Sequence, residues 1–228
     1  MFNSGQMTID QAQWRGMFIK SLYKVFQDNH PGIGVEQAVV ERIEELVIRL
    51  LFELLDSRPV STQDLEKRIQ ATFPAPINEW ATVEAENAVK YTGKKHHSKM
   101  SAGSNKPMLS LVGKVHPMLR DHLGYKIDEK VTLYVISVLE YIASDIIKTT
   151  GNYVKNIRNT TATVQDLNIA LRADKVLMDI MEMLYNDEGE HPTYAMGVPE
   201  NGDEGTKQKA PELTYEKVRY SQNRISGH

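Results

Sequence analysis

The feature that most constrains this chain is a pattern that occurs twice. Val39, Val40, Ile43, Leu46, Val47, Leu50, Leu51, Leu54 and Leu55 recur at i, i+3, i+4 spacing. So do Val131, Tyr134, Val135, Val138, Leu139, Ile142, Ile146 and Thr149. Each series predicts a long helix with an apolar stripe on one face. A shorter apolar segment precedes each: residues 14–26, stopped by His30-Pro31-Gly32, and residues 109–122, stopped by Leu123-Gly124-Tyr125. After each comes a Ser/Thr-x-x-Asp start, Ser61 to Asp64 and Thr163 to Asp166, with the two aspartates 102 residues apart. There the hydroxyl caps the first open amides of a further short helix, and the acid sits at its positive end. One copy cannot cover the stripe of its own long helix. Two copies crossed over each other can, because each supplies the other's missing half-core. No convincing strand longer than three or four residues interrupts the helical periods.

Composition narrows the function classes. The 228 residues are 41% apolar and 25% charged, enough to build a core. There is no cysteine, which excludes disulfides, thiolate zinc sites and cysteine nucleophiles. A net charge of −3 argues against a bulk nucleic-acid packager. The first residues have neither the basic nor the apolar region of a secretory signal. Residues 46–55, the greasiest run, contain Arg49 and Glu53 and are too short to span a bilayer. The expectation is a soluble intracellular protein, in which the sequon at Asn159-Thr160-Thr161 is a chance match.

Along the chain, residues 1–13 are polar and expected to be flexible. Residues 14–75 and 108–185 hold the two repeated units. Residues 76–107 form a connecting helix, over residues 78–89, and a basic loop. Residues 186–212 carry seven acids, two lysines and many Gly and Pro, an acidic linker expected to be disordered. Residues 213–228 resume weakly. Trp14 and Trp80 read as structural, with Trp80 anchoring the connecting helix on the first unit. Met178, Met181 and Met183 read as core or as a cover over the groove between the units.

No motif carries catalysis: there is no phosphate loop, no His-Glu-x-x-His and no nucleophile elbow. His96-His97 are adjacent but lack a nearby carboxylate, so a solvated loop is favoured over a metal site. The sharpest feature is electrostatic. Lys90, Lys94, Lys95, Lys99, Lys106, Lys114 and Arg120 put +7 into 31 residues without a single Asp or Glu, leaving −10 on the rest. Such a cluster attracts anionic headgroups at about 1 kcal/mol per basic residue, and equally nucleic-acid phosphates. On residue types alone, a solvated linker explains the run slightly better than an anion-binding face. Asp145 and Asp174 read, by themselves, as solvated or capping acids.

Val112-Gly113-Lys114-Val115-His116, Val138-Leu139-Glu140-Tyr141-Ile142, Gly151-Asn152 and residues 167–172 resemble a core histone, the one whose long helix bears the nucleosomal acidic patch. Glu140, Asp145 and Asp174 fall at patch positions, while Lys148, Lys175 and Val176 replace other members. A wider resemblance rests on Trp14-Arg15-Gly16, Pro76-Ile77-Asn78-Glu79-Trp80-Ala81, Leu123-Gly124-Tyr125-Lys126-Ile127-Asp128, Gly151-Asn152-Tyr153-Val154 and Ala173-Asp174-Lys175-Val176-Leu177-Met178-Asp179. These look like the N-terminal histone domain of the Son of sevenless family of Ras guanine nucleotide exchange factors. The resemblance covers about residues 14–185. It implies an all-α fold of tandem histone folds forming an intramolecular pseudodimer, and makes residues 213–228 the truncated start of a Dbl-homology-like region.

The same resemblance implies a regulatory, non-enzymatic module without cofactors. Its basic face would bind phosphatidic acid and phosphatidylinositol bisphosphate at the inner face of the plasma membrane. Gly93 to Lys106 is longer than the family's connector, so Lys114 and Arg120 are the better-matched members of that face. Asp145 and Asp174 would dock the basic linker beside the pleckstrin-homology region and so autoinhibit exchange. Ras would be met only through domains outside this chain, and the chain would be monomeric. The competing reading is a chromatin or DNA-binding histone-fold heterodimerisation protein.

Overall fold

The structure, a computed structural model, describes residues 9–93 and 106–186. Nine helices occupy these residues: α1 (Ile9–Ala12), α2 (Ile19–Asn29), α3 (Gln37–Leu55), α4 (Thr62–Thr72), α5 (Ile77–Gly93), α6 (Val112–Leu123), α7 (Glu129–Asn156), α8 (Val164–Ala173) and α9 (Lys175–Asn186). A 3-10 turn, Pro107–Leu111, leads into α6. The doubled layout is present, with α2, α3 and α4 in the first unit and α6, α7 and α8 in the second. The fold is all-α, a tandem pair of histone folds.

The two units share one core. α2 and α3 pack on α7, and α3 also packs on α8, so each unit closes over the other's long helix. At one end the loops pair as a two-residue parallel ladder, β1 (Gly34–Val35) against β2 (Thr161–Ala162). At the other end the join is made by side chains. Arg58 Nη2 donates to the Leu123 carbonyl at 2.9 Å, Tyr125 Oη donates to the Pro59 carbonyl at 3.0 Å, and the Arg58 guanidinium lies over the Tyr125 ring. Both Ser/Thr-x-x-Asp starts form complete capping boxes, Ser61 with Asp64 and Thr163 with Asp166.

α7 is the central rod, 28 residues or about 42 Å long. Its stripe is wider than the spacing predicted: Thr132, Leu133, Ile136, Ser137 and Glu140 are buried as well. The reason is α5, which lies along the otherwise open side of α7 through Ile77, Ala81 and Ala85. The connecting helix therefore belongs to the shared core and rests mainly on the second unit. Trp80 is only half-buried and outside the core, so the anchoring role expected of it falls to those smaller residues. Trp14 is fully buried, edge-on to Phe52. Helix does not begin at Trp14, because Gly16 turns the chain at φ +80° and α2 starts at Ile19. α9 covers α3 and α8 with Val176, Leu177, Ile180, Leu184 and Tyr185, whereas Met178, Met181 and Met183 are half-buried at its flanks.

Candidate docking surfaces

Two buried glutamates fix where the surfaces lie. Glu44 of α3 accepts the amides of Gly16 (2.8 Å), Phe18 (2.8 Å) and Ile19 (3.2 Å), which leave the start of α2 without helical partners. Glu140 of α7 does the equivalent for the 3-10 turn, accepting the Leu109 amide at 3.1 Å beside that of Met108. Glu140 is 3% exposed, and burial pushes its carboxyl up to about 7 against the pull of the Met108 and Leu109 amides and Lys106. Its place at an acidic-patch position thus does not make it a surface acid. In this fold it clamps a turn from within.

Of the other two acids, Asp174 is half-buried and caps α9, its Oδ1 accepting from the Val176 and Leu177 amides at 3.0 and 3.2 Å. Asp145 is half-buried on α7. One oxygen of Asp174 is committed to the helix start, so a docking partner would address the remaining part of the carboxylate.

The basic residues are spread over three elements. Lys94, Lys95 and Lys99, with His96 and His97, lie outside the described residues. Lys90, near the end of α5, is 64% exposed and pairs with Glu86 at 2.7 Å. Lys106 pairs with Glu84, which ties the entry of the 3-10 turn to α5. Lys114 and Arg120 are exposed on α6, with exposed Asp121 following Arg120. Six residues apart, they are separated by about 9 Å along the axis and roughly 120° around it. The structure therefore sets Lys90 and Lys106 beside different carboxylates, Glu86 and Glu84, which point about 160° apart around α5, and places Lys114 and Arg120 on α6. Glu84 and Glu86 lie just upstream of the acid-free window, and for that reason a count over residues 90–120 overlooks them.

Among the described residues no three His, Asp or Glu side chains gather to hold a metal. Nor is any helix there long and apolar enough to cross a membrane.

Two crossed histone folds on one chain, with lysines and carboxylates on the outer helices, define a histone-fold pseudodimer. Comparison with known proteins narrows that class. The chain is 38% identical over 173 residues to the protein son of sevenless of Drosophila melanogaster, covering 75% of this chain and 10% of the relative. It is 26% identical over 187 residues to the Son of sevenless homolog of Caenorhabditis elegans, covering 77% of this chain and 12% of that one. Shorter matches reach histones, for example 31% identity over 71 residues to a histone of Candida albicans, 31% of this chain and 54% of the histone. No family model matches. By sequence the chain belongs with the Son of sevenless proteins and carries their histone-fold region. It spans about a tenth of the length of those relatives.

Proposed function

We propose that this chain is the regulatory histone-fold module of a Ras guanine nucleotide exchange factor. The observation that carries the reading is the match to son of sevenless, which covers 173 residues, 75% of this chain. In this reading the module binds anionic phospholipid at the inner face of the plasma membrane through its basic residues. Lys114 and Arg120 are the strongest described candidates, being exposed on α6. Phosphatidic acid and phosphatidylinositol bisphosphate supply the matching charge at about 1 kcal/mol per basic residue near the surface, screened by salt. Asp145 and Asp174 dock a basic linker of the longer protein, and an arginine there makes a charge-assisted contact that gains strength when partly desolvated. Lipid then competes for the module and shifts the population away from the closed form. The module itself is a monomer, since both halves of the pseudodimer lie on one chain.

Co-sedimentation with vesicles tests the lipid step. Binding should be tighter to vesicles containing phosphatidic acid or phosphatidylinositol bisphosphate than to neutral ones, and a Lys114→Glu/Arg120→Glu variant should lose the preference. Equal binding to neutral and anionic vesicles would remove the lipid role. Tight, sequence-independent binding to duplex DNA at physiological salt would favour a chromatin function instead.

A further inference from the structure

A second group of cations stands where α7 ends beside the β1–β2 ladder. Residues 146–165 contain Lys148, Lys155 and Arg158 and no Asp or Glu. All three cations are exposed, and none forms an ion pair with a described carboxylate. The acids on the elements that meet here, Asp28 of α2, Glu36 before α3 and Asp145 one turn before Lys148, leave them unpaired. Lys148 and Lys155 are two turns apart on one face, about 10 Å along the axis. Burial first, then Lys155 and more weakly Lys148, holds the His30 imidazole below its ordinary range, so both charges lie on the side of α7 that α2 crosses. Residues 155–161 are exposed throughout, and Ile157 among them is 42% exposed. The segment is nonetheless fixed in shape. The amides of Ile157, Arg158 and Asn159 donate to the carbonyls of Tyr153, Lys155 and Val154 at 3.1, 3.0 and 3.0 Å, and Thr161 enters the ladder.

We infer that this tip of α7 is a second contact for an anionic bilayer, with Ile157 entering the interface between the charges of Lys148, Lys155 and Arg158. The inference rests on the membrane-binding reading above and adds a face to it. The helix dipole accounts for cations at the end of α7, but not for an exposed isoleucine between two of them. A duplex would offer phosphates to the cations and nothing to Ile157, whereas the headgroup and acyl boundary takes both. The long stems of Lys155 and Arg158 can follow Ile157 down while their charges stay with the headgroups. Because the tip is already held by its own amides and by the ladder, little ordering is required on contact. The face is distinct from that of Lys114 and Arg120, since α6 runs toward the opposite end of the pseudodimer, where Leu123 meets Arg58.

The test uses the full chain and vesicles of phosphatidylserine in phosphatidylcholine. Lys155→Gln/Arg158→Gln should weaken co-sedimentation about twentyfold, with the deficit shrinking as salt is raised. Ile157→Ser should weaken it about fivefold at every salt concentration, since the lost contact is apolar. The chain has no cysteine, so one introduced thiol carries a polarity-sensitive fluorophore at a single place. On anionic vesicles the emission of labelled Ile157→Cys should shift to the blue. That of labelled Val60→Cys, at a position 63% exposed by the opposite join, should stay unchanged. Binding indifferent to the double Gln variant, no shift at position 157, or equal shifts at both positions would overturn the assignment of this face while leaving lipid binding through Lys114 and Arg120 standing. Equal binding of the parent chain to anionic and to pure phosphatidylcholine vesicles would overturn both.

Discussion

Gly151 offers the most direct test of how the two units interlock. It sits in α7, against the His30 ring that closes the end of α2, and the ring is buried with Nε2 3.2 Å from the Ile147 carbonyl. A Cβ built on Gly151 would run into ring carbons and Nε2 of His30, closer than real side chains approach each other. Gly→Ala in a helix interior ordinarily stabilises by about 1 kcal/mol. Here overpacking costs about 1–3 kcal/mol, and displacing the ring forfeits a hydrogen bond of about 1 kcal/mol. Gly151→Ala should therefore destabilise by about 1–3 kcal/mol, a drop of several degrees in Tm for a chain of this size. The informative comparison is the same substitution in a His30→Ala background. With the ring gone, Gly151→Ala should change sign and stabilise by about 0.5–1 kcal/mol. Urea unfolding followed by far-ultraviolet circular dichroism, with constant m, measures both. If Gly151→Ala stabilises the native background, or acts with one sign in both, then His30 does not pack against this glycine and the crossing of α2 on α7 has been misread.

Three further outcomes follow from the same packing. Glu140 has a folded pKa of about 7 against an ordinary 4.5, so its contribution is fully present below pH 4.5 and is lost as pH rises through 7. Glu140→Gln should match the parent in urea at pH 4 and exceed it at pH 8 by at most about 3 kcal/mol; a larger gap at pH 4 than at pH 8 would refute the sign. Ser61→Ala and Thr163→Ala should each cost about 1 kcal/mol through loss of a capping box, and should add in the double variant because the boxes lie in different units, as thermal unfolding can check. Arg58 has φ 49°, so in thermal unfolding Arg58→Gly should be less damaging than Arg58→Ala by about 1 kcal/mol, although both lose the contacts to Leu123 and Tyr125.

What the sequence reveals here divides by range. The stripes of α3 and α7, the stops at His30 and Gly124 and the capping boxes are set by residues within one or two turns of each other, and periodicity reads them directly. Glu44 and Glu140 escape it because their partners are 25 to 31 residues away, and a carboxylate inside an apolar helix looks like a surface position until the turn that uses it is in place. α5 escapes in the same way. Ile77, Ala81 and Ala85 are modest apolar residues that gain their role only from the far side of α7. The charged surfaces show the difference most clearly. A run of seven cations counted along the chain is a statement about a line, whereas attraction for an anion depends on charges within a Debye length of about 8 Å in space. Glu84 and Glu86 meet that condition for Lys106 and Lys90, though they stand outside the run. One helix therefore tempers the basic region from two faces, Glu84 holding Lys106 on one and Glu86 holding Lys90 on the other.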